Sequence, residues 1–388
     1  VNLKLTDISQ YFTEKPWNAM GTTRASFYPF MVGLGFFLPL DLSFSCWFFF
    51  VLRQITRVLS SYLWAHNLPG FPYFHEQSAG AWLCLCLTAL WLTRRHFAFA
   101  FRTIFSSTSS VEAEEPMRYR TAFFGFVGGL LFLVGFGHQA GMSILAVLLF
   151  FGLYFAIAIA ITRLRAEFGA PHGIFNHPLD MMVTCFGSAT WGPRNLTVIS
   201  FFYWFNRGYR PHPMPNQLEA FKIAEVAHIN NRRLLLAMLT ASVFTLICAF
   251  WTNLDMLYRD GALARVTAFR LWVGRGAFGQ LERWLYHPAA PDWARTGFMG
   301  VGAVLTLLLL VLRMRFFWWP LHPAGYALAV SFAIDYFWVP FLISWGLKSI
   351  ILKYGKVKGY QRAIPFFVVL ILGDFVVGAL WMLFGVLT

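Results

Sequence analysis

The sequence predicts an all-α fold, a polytopic bundle of transmembrane helices, from three observations. Of its 388 residues 58% are hydrophobic and 19% aromatic, whereas 12% are charged. An average soluble domain carries roughly 25% charged residues and could not hide this much apolar surface. The mean hydropathy is +0.58, and apolar runs recur along the whole chain, which predicts one integrated membrane domain at 28–388. The 31 Lys and Arg outnumber the 17 Asp and Glu, but they sit at the ends of apolar runs: Arg94, Arg95, Arg163, Arg165, Arg232, Arg233, Arg313 and Arg315. Basic side chains anchor helix ends there, and their scatter excludes a nucleic-acid-binding face.

Residues 1–27 read as a polar, interfacial segment, and its Asp7, Glu14 and Pro16 leave no cleavable signal peptide to be expected. A helix needs about 20 apolar residues to cross the hydrocarbon core, and about eight stretches approach that length. They lie near 28–52, 78–93, 121–137, 141–162, 233–251, 296–312, 324–347 and 364–387. The region 163–232 differs, because its apolar pieces at 181–190 and 197–205 are interrupted by Pro171, Pro178, Gly187, Gly192 and Pro193. Such pieces predict re-entrant or broken half-helices, with a long interfacial loop as the alternative. Irregular backbone at membrane depth is tolerated only inside protein or beside a wet cavity, so a pathway is expected here. Pro215 to Glu219 reads as the start of a surface helix, with Asn216 as N-cap and Glu219 reaching back. The connections 53–77 and 94–120 are polar, and 252–295 reads as an interfacial connection with a helix near 261–286. Strict alternation puts 94–120, 163–232 and Arg313/Arg315 on one side and the Lys-rich 348–362 with 252–295 on the other. Both sides are then basic, which means that a half-helix in 181–205 crosses or that the count is off by one.

Three carboxylates fall within expected spans: Asp41, Asp335 and Asp374. An acid at a helix centre costs about 2.5–3.5 kcal/mol on insertion scales and is normally kept for a reason. Asp41 follows Gly33, Gly35 and Pro39, Asp374 follows Gly373, and Asp335 precedes Pro340. A carboxylate beside a weakened helix could hold a coupling ion, sodium or a proton. The alternative is that each caps a half-helix or pairs with an arginine. A second candidate is the polar run with Arg165, Glu167, His172, Asn176, His177 and Asp180, dense enough to bind a polar solute. His172 and His177 lack HExxH spacing or Cys partners, so no metal site is expected. Cys46, Cys84, Cys86, Cys185 and Cys248 lie in apolar stretches without a CxxC pair and read as packing residues. GxSxG, Walker and GxGxxG motifs are absent, so neither an enzyme nor a cofactor is expected.

Several phrases carry a resemblance: Pro29 to Ser43, Tyr73-Phe-His-Glu76-Gln, Arg165-Ala-Glu167-Phe-Gly, Trp319-Pro-Leu-His322-Pro-Ala-Gly325, and an ending with Lys348, Tyr360 and Arg362. Over nearly the whole chain it resembles a bacterial family of large polytopic membrane proteins of unknown function, which implies an inner-membrane location and no particular activity. It is faintly similar to oligopeptide and metal-chelate transporters, in which broken segments and a Pro-rich loop, as at Pro211 to Gln217, precede a surface helix. The expectation is therefore ion-coupled secondary transport of a small polar solute, a peptide or metal chelate. A structural or accessory subunit of a larger complex or a homo-oligomer is the alternative, favoured by 44 Phe and 16 Trp. A membrane-embedded lipid-modifying enzyme ranks third.

Overall fold

The computed structural model describes residues 5–63, 70–105, 115–169, 174–209, 212–261 and 268–387. The described residues are mainly helical, as expected, and the N-terminus adds one short hairpin. Strands β1 (Leu5–Asp7) and β2 (Arg24–Ser26) pair antiparallel, with Leu5 opposite Ser26. Arg24 anchors this hairpin, since its Nη1 donates to Tyr336 Oη (2.6 Å) and its carbonyl accepts from Trp338 Nε1 (2.7 Å).

The expected span at 28–52 is two helices, α1 (Pro29–Phe37) and α2 (Leu40–Tyr62). Leu38 is extended (φ −65, ψ 153), as a residue before proline prefers, and Pro39 cannot continue the helix. The chain reverses here. Gly35 packs on Ser344 and Leu38 lies at Lys348, whereas α2 runs the other way, from Ser43 at Phe341 to Arg53 at Asp335. A second reversal divides 324–347 into α13 (Pro323–Leu328) and the start of α14 (Phe332–Leu387). The stretch through α13 runs alongside α2, from His322 at Ser45 to Ala329 at Arg53, and α14 then turns back. Each reversal joins a short, proline-initiated helix to a long one, and the two units run antiparallel to each other.

Within α14 only Lys356 leaves the helical region (φ 51, ψ −152), and there the helix folds into a hairpin. The nine-residue α1 touches both arms, at Ser344 through Gly35 and at Phe367 and Ile371 through Gly33. In a straight helix Ser344 and Phe367 would lie about 35 Å apart. Lys348 bonds the Leu38 carbonyl close to Asp41, which meets Arg313, so the Lys-rich 348–362 lies at the same end as Arg313. Counting 324–347 as one crossing therefore put 348–362 at the wrong end, whereas 252–295 still lies at the other end of α12 from Arg313.

Between these units lie α3 (Phe74–Phe105), α4 (Tyr119–Gln139), α5 (Ile144–Phe168), α6 (Pro178–Phe186), α7 (Ser188–Phe201), α8 (Tyr203–Asn206), α9 (Pro213–Val226), α10 (Asn231–Asp260), α11 (Ala268–Tyr286) and α12 (Trp293–Arg315). Among the described residues six helices are long and apolar enough to cross a membrane: α2, α4, α5, α10, α12 and α14. The 78–93 stretch lies inside α3, whose length also takes in Glu76, Arg94, Arg95 and Arg102. Helices α3 and α12 approach backbone to backbone. A Cβ on Gly80 would collide with the Met299 carbonyl, and one on Gly302 with the Gln77 carbonyl. The main core gathers Leu42, Phe50, Trp82, Ile157, Ile161 and Phe341 from α2, α3, α5 and α14.

Candidate functional site

Among the described residues the broken region expected from the sequence contains no long helix. Ile174 to His177 is non-helical and largely buried, α6 has nine residues, and α7 has fourteen with a break at Gly192 (φ 69, ψ 166). Pro178 at the first helical position starts α6, where its missing N–H costs nothing. Gly187 (φ 79) ends α6 in a turn that a side chain would strain. A Cβ there would stand 2.8 Å from the Ala289 carbonyl. The 289–292 segment docks on this turn. Ser188 N donates to Ala289 O (2.9 Å), Ala289 N to Ser188 Oγ (2.8 Å) and Asp292 N to Thr184 O (2.9 Å). Docking brings the start of α12 and the end of α11 against α6.

Their junction borders an open cavity of about 700 Å³. Helices α3, α6 and α12 begin at it and contribute His75 and Glu76, His177 and Asp180, and Asp292 and Arg295. The last turns of α11 add Gln280, Arg283 and Trp284, followed by His287. Gln280 Nε2 donates to Asp180 Oδ1 (2.6 Å), and Arg295 lies 3.5 Å from Glu76 and 3.4 Å from Asp292. Asn176 Nδ2 donates to the His75 carbonyl (2.8 Å), and its Oδ1 lies 3.1 Å from Ser78 Oγ, which is 3.0 Å from the Ala327 carbonyl of α13. The cavity wall is thereby tied to the second reversal. Burial holds the His177 imidazole below its ordinary range, opposed by Asp180. It lowers His212 too, and raises the phenols of Tyr203 and Tyr209.

The sequence-selected residues fall into separate places. Asn176, His177 and Asp180 meet in the cavity, and His172 lies outside the described residues. Arg165 pairs with Glu219 (2.6 Å) and Glu167 with Arg163 (2.5 Å), away from the cavity. Helix α9 begins at Pro213 with His212 at its N-cap. Asn216 is therefore inside the helix and not its cap, and Glu219 reaches Arg165 instead of back.

The three acids of the expected spans are not brought together, since each serves a different helix start. Asp41 is in the first turn of α2 and pairs with Arg313 (2.7 Å) beside a second cavity of about 760 Å³, lined by Phe44, Trp318, Trp319 and Trp345. Asp335 is in the first turn of α14 and pairs with Arg53. Asp374 accepts from Phe30 N at the start of α1 (3.3 Å). Anionic side chains are favourable at helix N-termini.

Sequence reasoning missed Gln280, Arg283, Trp284, His287, Asp292 and Arg295. Their only signal was the arginine-rich character of 252–295. Among the described residues no group of three or more His, Cys, Asp or Glu could hold a metal ion.

The model of a family described as "Family of unknown function (DUF6785)" matches residues 1–388. No curated protein and no solved structure matches the chain. These comparisons carry neither the likeness to oligopeptide transporters nor a bacterial source.

Proposed function

We propose that this chain, which belongs to the family of unknown function DUF6785 along its whole length, is a secondary transporter of a small zwitterionic solute such as a short peptide. The observation that carries the reading is the cavity of about 700 Å³ walled by the broken segment before α6. Its volume suits a small molecule. Arg283 and Arg295 face Glu76, Asp180 and Asp292, a lining that can meet a solute of both signs. The antiparallel α1–α2 and α13–α14 units support the same reading, because inverted units can rock against each other around a site. Ser78 would pass such motion from α13 to Asn176.

In this reading α3 also crosses the bilayer and the arms of α14 cross separately, making about eight crossings of a plasma membrane with α2, α4, α5, α10 and α12. The test is uptake of radiolabelled dialanine and a dipeptide panel by proteoliposomes holding the purified chain. Imposed proton and sodium gradients are compared with none. Gradient-stimulated uptake that falls in Asp180→Asn is expected; no uptake of any dipeptide under either gradient overturns the reading.

One observation favours a second reading, a subunit of a larger membrane complex. Helix α10 spans 30 residues, and its apolar stretch has none of its residues buried in the protein (0%). Stoichiometric partners retained on purification in mild detergent would favour it.

A further inference from the structure

Beside the large cavity lies a small recess of about 10 Å³, room for roughly one water molecule. Ser200, Tyr203 and Asn206 line it, and it shares His177, Asp180, Gln280 and Trp284 with the large cavity. Those four side chains form the partition between the two spaces. Two polar atoms at the inner space form no well-aligned hydrogen bond, His177 Nδ1 and Asn206 Oδ1, although Asn206 lies close enough to His177 to favour its charged ring. Their residues are 9% and 2% exposed. Leaving such atoms dry is costly, and a polar space of this size with at least two polar partners can hold a water. The pattern continues inward. Tyr209 Oη and His212 Nε2 are also buried without partners, and their rings flank Tyr154 at 5.1 Å and 6.1 Å.

We propose that His177 is the site of the coupling proton, loaded from the open cavity, with Asn206 beside it at the inner space. The inference rests on the transport reading above. An imidazole nitrogen at the partition suits a proton, whereas a hard cation would call for a cage of oxygens. The neutral ring has one free lone pair. Hydronium in the cavity gives it a proton and becomes water, and the reverse step returns the proton to water. The surrounding charges are mixed. On its own helix Asp180 favours the charged ring, as does Asn206 at the end of α8, and beyond α8 Arg207 disfavours it, with the Tyr203 ring 5.0 Å away. Across the cavity stand His75 and Glu76 on α3, Arg283 and His287 at the end of α11, and Asp292 and Arg295 at the start of α12. Solute entering between Asp180 and these arginines would change the balance at His177, which is what coupling requires.

The direct test is the nitrogen NMR spectrum of isotope-labelled histidines in the full chain in nanodiscs, from about pH 5 to 8. The signal that disappears in His177→Gln is expected to titrate with a midpoint below the ordinary imidazole range, and lower still in Asp180→Asn. In proteoliposomes, dialanine uptake driven by a proton gradient is expected to fall to the no-gradient level in His177→Gln and to keep the parental rate in His228→Gln. A His177 signal that is unchanged across the range, or proton-driven uptake that survives His177→Gln, overturns the proposal. Absence of uptake by the parent counts against the transport reading, and the NMR signal then decides the proton site alone.

Discussion

Arg53 and Lys348 hold equivalent places in two antiparallel units. Arg53 Nη1 on α2 donates to the carbonyl of Ala329, the C-cap of α13 (2.7 Å), and Lys348 Nζ on α14 donates to the carbonyl of Leu38, the C-cap of α1 (2.6 Å). A helix ends with carbonyls that lack partners, and a cation there also meets the negative end of the helix dipole. Each long helix therefore closes the short helix of the other unit.

Arg53 also holds Asp335, so Arg53→Met should strand a carbonyl and a carboxylate together. We expect a loss of about 2–3 kcal/mol, read from unfolding in detergent. Adding Asp335→Asn should recover part of it. A double variant as unstable as Arg53→Met alone would show that the ion pair is not the source of the loss.

Close approach of α3 and α12 depends on Gly80 and Gly302. Gly302→Val should destabilise by about 1–3 kcal/mol or more, because the new side chain must displace Gln77 backbone. Gly300 on the same helix has nothing within 4 Å, and Gly300→Ala should be close to neutral. Equal thermal shifts for the two variants would contradict this packing.

Acid should weaken the fold through His177 and His212. Both bind a proton less readily in the folded state than an ordinary imidazole, whose pKa is 6.5. Above that pH both states are neutral and the groups contribute nothing. As pH falls below it, the unfolded chain takes up protons first and stability declines. The melting temperature should drop between about pH 7 and 5, and His177→Gln should flatten the slope. An unaltered slope in that variant would place the acid sensitivity elsewhere.

Ser78 lies between Asn176 at the cavity and Ala327 in α13. Ser78→Ala should lower the maximal rate of dialanine uptake more than its apparent affinity, because the solute contacts remain while the tie to the moving unit is cut. The opposite pattern would make Ser78 a contributor to binding. Loss of stability should stay near 1 kcal/mol, the worth of an ordinary hydrogen bond.

The sequence by itself determined the solvent and the weak points of this chain. Its apolar runs, with basic residues at their ends, could be stable only in a membrane, and Pro178, Gly187, Gly192 and Pro193 marked where helices must break, since proline lacks a donor and glycine tolerates positive φ. It also singled out Asn176, His177 and Asp180. What it could not decide was the path of the chain, because hydropathy reports the surroundings of a residue and not the direction in which the backbone travels. The run 28–52 fits one crossing or a short helix followed by a reversal, and only the packing of Gly35 on Ser344 and of Arg53 on Asp335 selects the second. The far wall of the cavity was hidden for the same reason: Gln280 meets Asp180 across 100 residues of sequence, a contact created by docking 289–292 on the Gly187 turn and by no local pattern.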